Sequence, residues 1–176
     1  MTDHSSLFRL QSRYLAENDP HLRMFQETQS RIEAMALLHE KLYQGQELVN
    51  INFTEYTSNL AKDLFYTHGF SSEAIKLTIS DDQTPLNINV ATPCALILHE
   101  LLSNALKYGF PQKKAGHITI SLASKPENLI MLSVENDGIP FPEETELNTV
   151  KSLGLRLVSA LVEQLHGTLQ LDRSQG

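Results

Sequence analysis

The sequence predicts an α+β fold: a two-layer α/β sandwich preceded by an α-helical hairpin. Three observations lead there. Two helical patterns fill the first 46 residues, with only Asn18-Asp19-Pro20 between them, the kind of short connection that antiparallel helices use. After Gly45 the chain changes to short alternating segments interleaved with amphipathic helices. Those later elements do not follow a regular βαβ alternation, which favours a two-layer sandwich. The expected domains are therefore 1–46 for the hairpin and 47–176 for the sandwich.

Taken in order, residues 5–17 read as a short helix. A longer one runs from about His21 to Gln44, with Leu22, Phe25, Ile32, Met35, Leu38 and Leu42 near a three-four spacing. Met24, Ala34, Ala36 and Leu37 put apolar residues on its other faces. That surplus calls for further helical partners, either a second chain completing a four-helix bundle or the chain's own later domain. Ile51–Phe53 reads as a brief strand. Thr54 to His68 reads as a helix with Tyr56, Leu60, Leu64 and Phe65 inward, closed by Gly69. Ile75–Ile79 alternates as a strand, and Leu86–Ile88 reads as another. Thr92 and Pro93 supply an N-cap and a first-turn proline for a helix from about Pro93 to Tyr108. His117–Ser124 and Leu129–Glu135 form an expected strand pair around Lys125–Asn128. Ser152 to His166 reads as an amphipathic helix closed by Gly167, and Thr168–Asp172 as a final strand.

Composition narrows the function classes. The chain has 176 residues, 41% hydrophobic and 20% charged, which fits a globular protein and not a disordered one. No apolar run approaches a membrane span, and the polar start lacks the apolar core of a signal peptide. The formal charge of −7 argues against a broad nucleic-acid-binding surface, which needs clustered Lys and Arg. A single cysteine, Cys94, rules out an intrachain disulfide and suits a cytoplasmic setting. His39-Glu40 and His99-Glu100 begin like a zinc-protease motif, but Tyr43 and Ser103 stand where the second histidine is required. No zinc site is expected.

The most informative stretch is His99-Glu100-Leu101-Leu102-Ser103-Asn104-Ala105-Leu106-Lys107-Tyr108. Glu100, Asn104 and Lys107 share one narrow stripe of a helix whose other faces are apolar. A carboxylate, an amide and an ammonium on a largely buried helix are costly unless they serve a polar ligand or a satisfied network. Together they supply what a metal–triphosphate needs: a water-orienting carboxylate, an amide oxygen for the metal and a cation for phosphate. Downstream, Asn136-Asp137-Gly138 ends a strand, and Asn136 or Asp137 could accept from an adenine amino group. The polar stretch from Phe141 to Lys151 suits a lid over a pocket or an ordinary solvated loop, with Lys151 as its candidate phosphate contact. Ser152-Leu153-Gly154-Leu155 then opens a helix whose free N–H groups suit phosphate.

In that order these segments resemble the ATP-binding catalytic domain of sensor histidine kinases, relatives of the gyrase, chaperone and mismatch-repair ATPases. His99–Tyr108 is similar to the family's N box, Asn136–Gly138 to its first glycine box and Ser152–Leu155 to its second. Ser30–Tyr43 resembles the second helix of the type-two dimerisation domain, and Ser5–Gln11 the end of its first. The resemblance implies a sandwich of the histidine-kinase ATPase type with ATP and Mg2+ as cofactors. Asn104 would hold the metal, Glu100 would act as base or water-binding group, and Lys107, Tyr108, Asn136, Asp137, Gly138, Lys151, Ser152, Leu153, Gly154 and Leu155 would surround the nucleotide. It implies a homodimer through the hairpin and a response-regulator receiver domain as the partner of the intact protein. The same fold also serves ATP hydrolases and clamps, and a degenerate, non-catalytic dimerisation module is the third reading.

Three departures from the family pattern stand out. Asn136 replaces the usual Asp, and Pro140 replaces a glycine. The phosphoacceptor histidine with its His-Arg-x-Lys-Asn-Asn context is missing, since His4 lies too close to Ser5 and lacks that context. Both ends are expected to be clipped, the second one strand short, so the chain is expected not to autophosphorylate normally.

Overall fold

The computed structural model describes residues 25–36 apart from 27 and 35, 53–82 apart from 72, 86–111, 115–141 and 152–173. The expected helix at 5–17, the Asn18–Pro20 connection, most of the hairpin, Lys151 and nearly all of the expected lid lie outside the described residues. Helical backbone is present at 28–34, within the expected second helix.

The first element of the sandwich is α1 (Phe53–Thr67), which buries Phe53, Tyr56, Thr57, Leu60, Ala61, Leu64 and Phe65 on one stripe. Its end has a physical stop. Gly69 takes φ 69°, its N–H donates to the Tyr66 carbonyl at 3.0 Å, and the Phe70 N–H donates to the Phe65 carbonyl at 2.8 Å. This is the paired hydrogen-bond pattern of a left-handed helix cap, and the buried Phe65 and Phe70 supply its apolar contact.

Strand β1 (Ile75–Asp81) pairs in parallel with β2 (Gly116–Lys125), and β2 pairs antiparallel with β3 (Leu129–Asn136). The order is β1-β2-β3. Ile118, Ile120 and Leu122 of β2 alternate into one face and are at most 2% exposed, the period-two pattern of a half-covered sheet. The parallel pairing of β1 and β2 needs a crossover, and α2 (Ile88–Asn104) provides it. The main core contains buried residues of α1 and α2 together with Ile75, Ile118, Ile120 and Leu122. The last helix, α3 (Leu153–Gln164), has Ser152 as N-cap, with its Oγ accepting from the Leu155 N–H at 3.4 Å. The N-terminal helical segment joins the same core: Ala34 is buried in it, and its carbonyl accepts from Tyr56 OH at 3.4 Å.

Several expectations are corrected. Leu86–Ile88 is not a strand. Asn87 is the N-cap of α2, its Oδ1 accepting from the Asn89 and Val90 N–H groups at 3.0 and 3.2 Å. Thr92-Pro93 therefore lies inside the helix rather than at its start. Pro93 is tolerated because the carbonyl it leaves without an intrahelical donor belongs to Asn89, an exposed residue. The brief strand expected at Ile51–Phe53 is overturned at Phe53, which begins α1.

The helix expected to run to Tyr108 changes pitch at Ala105, where a π turn spans Ala105–Gly109. Gly167 follows α3, but the left-handed position is His166, at φ 54°. Thr168–Asp172 joins no described ladder. Leu169 and Leu171 are half-buried while Thr168, Gln170 and Asp172 are exposed. Period-two burial reports which side packs, not whether the backbone is paired.

Candidate functional site

A cleft of about 400 Å³ opens between the N-terminal helical segment, the end of α1, the second half of α2 with its π turn, and the first turn of α3. Glu100, Asn104, Lys107 and Tyr108 all line it, as do Ser152, Leu153 and Gly154. The stripe on α2 thus faces the start of α3, although 44 residues or more separate the two in sequence. The π turn matters here, since such turns re-aim side chains at functional sites. It carries Lys107 and Tyr108, both exposed on the cleft.

Glu100 is the most constrained group. It is 5% exposed, and Arg31 grips it with a fork: Nε donates to Oε1 at 2.6 Å and Nη2 to Oε2 at 3.0 Å. His99 Nδ1 lies 3.2 Å from Oε1, and Ser30 Oγ lies 2.8 Å from His99 Nε2. An ionised carboxylate only accepts, so Nδ1 carries the proton toward Glu100, and in the neutral ring Nε2 accepts from Ser30. Burial by itself would raise the Glu100 pKa. Hydrogen bonds from His99 and Arg31, together with their charges, outweigh burial and hold it at about 2. His68, at the end of α1, lies 3.2 Å from Ser103 Oγ. Burial first, then Lys107 and His99, push its pKa down to about 4, so it is neutral at pH 7.

Asn104 differs from these. It is half-buried on the cleft wall, and its Nδ2 is fully buried with no hydrogen-bond partner among the described residues. Such an atom costs stability unless a ligand meets it. An amide side chain on that wall offers an oxygen of the kind a hard cation beside phosphate takes.

The remaining expected residues sit elsewhere. Asn136, Asp137 and Gly138 do not line the cleft. They pack on the end of the π turn behind Tyr108, where Ile139 N–H donates to the Gly109 carbonyl at 2.8 Å. A side chain at Gly138 would collide with that carbonyl, so the turn needs a glycine for close approach. Asp137 Oδ1 accepts from the His117 N–H at 2.7 Å, and Asn136 Nδ2 is buried without a partner among the described residues. Leu155 points into the protein at 5% exposure. Sequence reasoning missed Ser30, Arg31, His68 and Ser103. His99 carried a local signal, its place beside Glu100, and was read within the N-box stretch and as a failed zinc motif but not as a site residue.

Comparison with known proteins decides the family. Residues 89–176 match the model described as histidine kinase-, DNA gyrase B- and HSP90-like ATPase, which is half of the chain. The chain belongs to that family. Residues 2–68 match a second model, described as histidine kinase. Blue-light-activated histidine kinase 2 of Erythrobacter litoralis is 26% identical over 153 residues, covering 85% of this chain and 44% of the relative. The sensor histidine kinase PdtaS of Mycobacterium tuberculosis is 26% identical over 167 residues, covering 94% of this chain and 32% of the relative. This chain thus spans less than half the length of these curated relatives. Among solved structures, the histidine kinase domain of a blue-light-activated kinase from Erythrobacter litoralis has TM-score 0.72 and 24% identity. That match covers 96% of this chain and 77% of the other, and it shows a shared fold. Both family matches agree with the resemblance seen in the sequence. Among the described residues no helix is long and apolar enough to cross a membrane.

Proposed function

We propose that this chain is the ATP-binding, catalytic part of a sensor histidine kinase of two-component signalling, and that Mg-ATP occupies the cleft. The observation that carries this reading is the half-buried Asn104 amide on the wall of a cleft that also holds Lys107 and the first turn of α3. Asn104 is the metal ligand of the chain, through its amide oxygen. With Asn104 as its ligand, a magnesium ion would supply charge neutralisation for the phosphates. Lys107 faces the phosphates, and the free N–H groups of Leu153 and Gly154 bind them from the other side. Asn136 and Asp137, behind the π turn, are the candidates for the adenine edge, and the sequence makes Lys151, outside the described residues, a further candidate phosphate contact.

In the intact protein the γ-phosphoryl group passes to a histidine of the hairpin in a homodimer, and then to an aspartate of a receiver domain. Phosphoryl transfer of this kind needs positioning and charge neutralisation more than covalent chemistry from the protein. A hydrolase reading would use Glu100 as general base. Arg31 covers both of the Glu100 oxygens, so a base role requires Arg31 to leave.

Calorimetric titration of ATP, with and without Mg2+, into this chain and its Asn104→Ala variant tests the proposal. Magnesium-dependent binding that disappears in the variant is the expected result. Equal binding by both proteins would overturn the role of Asn104, and no binding by either would favour a degenerate module.

A further inference from the structure

The Arg31–Glu100 pair joins two parts of the chain that are 69 residues apart, and its position indicates more than docking. Arg31 lies on the N-terminal helical segment, yet its side chain is only 13% exposed and lines the cleft. Its Nη2 lies 3.7 Å from where a Gly154 side chain would begin. The guanidinium therefore faces the first turn of α3, on the same wall as the free N–H groups. Arg31 and Lys107 are the only Arg or Lys side chains among the described lining residues, and His68 is neutral. A nucleotide triphosphate entering here meets Glu100 as the one acidic side chain of the described lining, already covered by Arg31.

An arginine fork fits a carboxylate and a phosphate equally well in shape. We propose that Arg31 reads the terminal phosphate, exchanging Glu100 for the γ-phosphate of bound ATP and leaving the Glu100 carboxylate free within the site. This deepens the Mg-ATP reading and rests on it. Ser30 makes the exchange feasible: its hydrogen bond to His99 at 2.8 Å keeps the helical segment docked while its neighbour changes partner. ADP has no γ-phosphate, so it leaves the Arg31–Glu100 pair in place. The helical segment thereby distinguishes the two nucleotides.

The test compares ATP and ADP affinities, by calorimetry with Mg2+, in wild type, Glu100→Gln, Arg31→Ala/Glu100→Gln and Arg31→Lys. Neutralising Glu100 removes the repulsion that an unpaired carboxylate would exert on phosphate, so the two Gln variants isolate the effect of Arg31. The expected result is a preference for ATP over ADP that falls about tenfold or more from Glu100→Gln to the double variant, the scale of a lost charge-assisted hydrogen bond. Arg31→Lys, which keeps the charge and loses the fork, retains part of the preference, and its comparison with wild type decides the matter should the double variant fail to fold. An ATP:ADP ratio unchanged by either Arg31 substitution overturns the proposal while leaving the nucleotide site intact. Tighter binding of both nucleotides to an equal degree would make Arg31 a plug instead, and likewise overturns it. Failure of wild type to bind either nucleotide overturns the Mg-ATP reading itself and this proposal with it.

Discussion

Gly154→Ala is the sharpest probe of how the cleft is assembled. Gly154 is the second residue of α3, and a Cβ there would fall inside contact distance of Glu100 Oε2, with Arg31 Nη2 at 3.7 Å. The carboxylate has little room to yield. Arg31 holds both of its oxygens, at 2.6 and 3.0 Å, and the Glu100 side chain is only 7% exposed. Moving it sacrifices at least one charge-assisted hydrogen bond, worth about 1.5–3 kcal/mol. Alanine repays at most about 1 kcal/mol of helix propensity, and less so near a helix start. The net expectation is a loss of about 1–2 kcal/mol.

Urea unfolding of wild type, Gly154→Ala, Glu100→Ala and the double variant measures this as a cycle. Without the Glu100 carboxylate the added methyl has open space, so Gly154→Ala becomes neutral or slightly stabilising in that background. The coupling energy is then about 1–3 kcal/mol. Stabilisation by Gly154→Ala in the wild-type background, or a coupling below about 0.5 kcal/mol, would refute the close approach of α3 to Glu100.

Two further predictions concern the same scaffold. His166→Gly is expected to stabilise the protein by about 1 kcal/mol, because the α3 cap needs φ 54° there and a Cβ disfavours that conformation; an unchanged urea midpoint would count against it. Acid is expected to weaken the fold in two stages. His68 titrates at about 4 in the folded protein against 6.5 ordinarily, so the stability it contributes is complete above 6.5 and is lost as pH falls from 6.5 to 4. Glu100 titrates at about 2 against 4.5, so its contribution is complete above 4.5 and is lost between 4.5 and 2. Urea midpoints against pH should therefore fall in both windows. Glu100→Gln should flatten the lower one, and a flat profile between 6.5 and 4 would refute a buried neutral His68.

What could be read in the sequence was whatever repeats locally. The period of α1, the alternation of β1 and β2, and the stripe of Glu100, Asn104 and Lys107 all follow from spacing, and each lies where that spacing puts it. Boundaries were less legible where two signals competed. Asn87 and Thr92-Pro93 both resemble helix starts, and the one that accepts two backbone N–H groups prevailed. The π turn left no trace in residue spacing, and its last residue, Gly109, meets Asn136–Ile139, which lie far along the chain. Arg31 was illegible for a different reason. Its partner is 69 residues away, and nothing in Ser30-Arg31-Ile32 marks a surface arginine from one that crosses to another element.

That crossing is costly to build. Burying a carboxylate and a guanidinium demands that their attraction and hydrogen bonds offset the loss of water, and well-packed apolar residues often do as well or better for stability alone. Here the pair lies on a cleft beside an amide whose buried N–H has no partner among the described residues and a glycine that admits no side chain. A core built only for stability would not combine those three features, because each raises its energy. They become consistent once a polyanion completes the cleft: the glycine lets the first turn of α3 close on Glu100, and Arg31 can trade one anion for another. The same exchange ties the helical segment's grip on the sandwich to what the cleft contains. A helical segment docked through Arg31 would in this way respond to a terminal phosphate in the cleft.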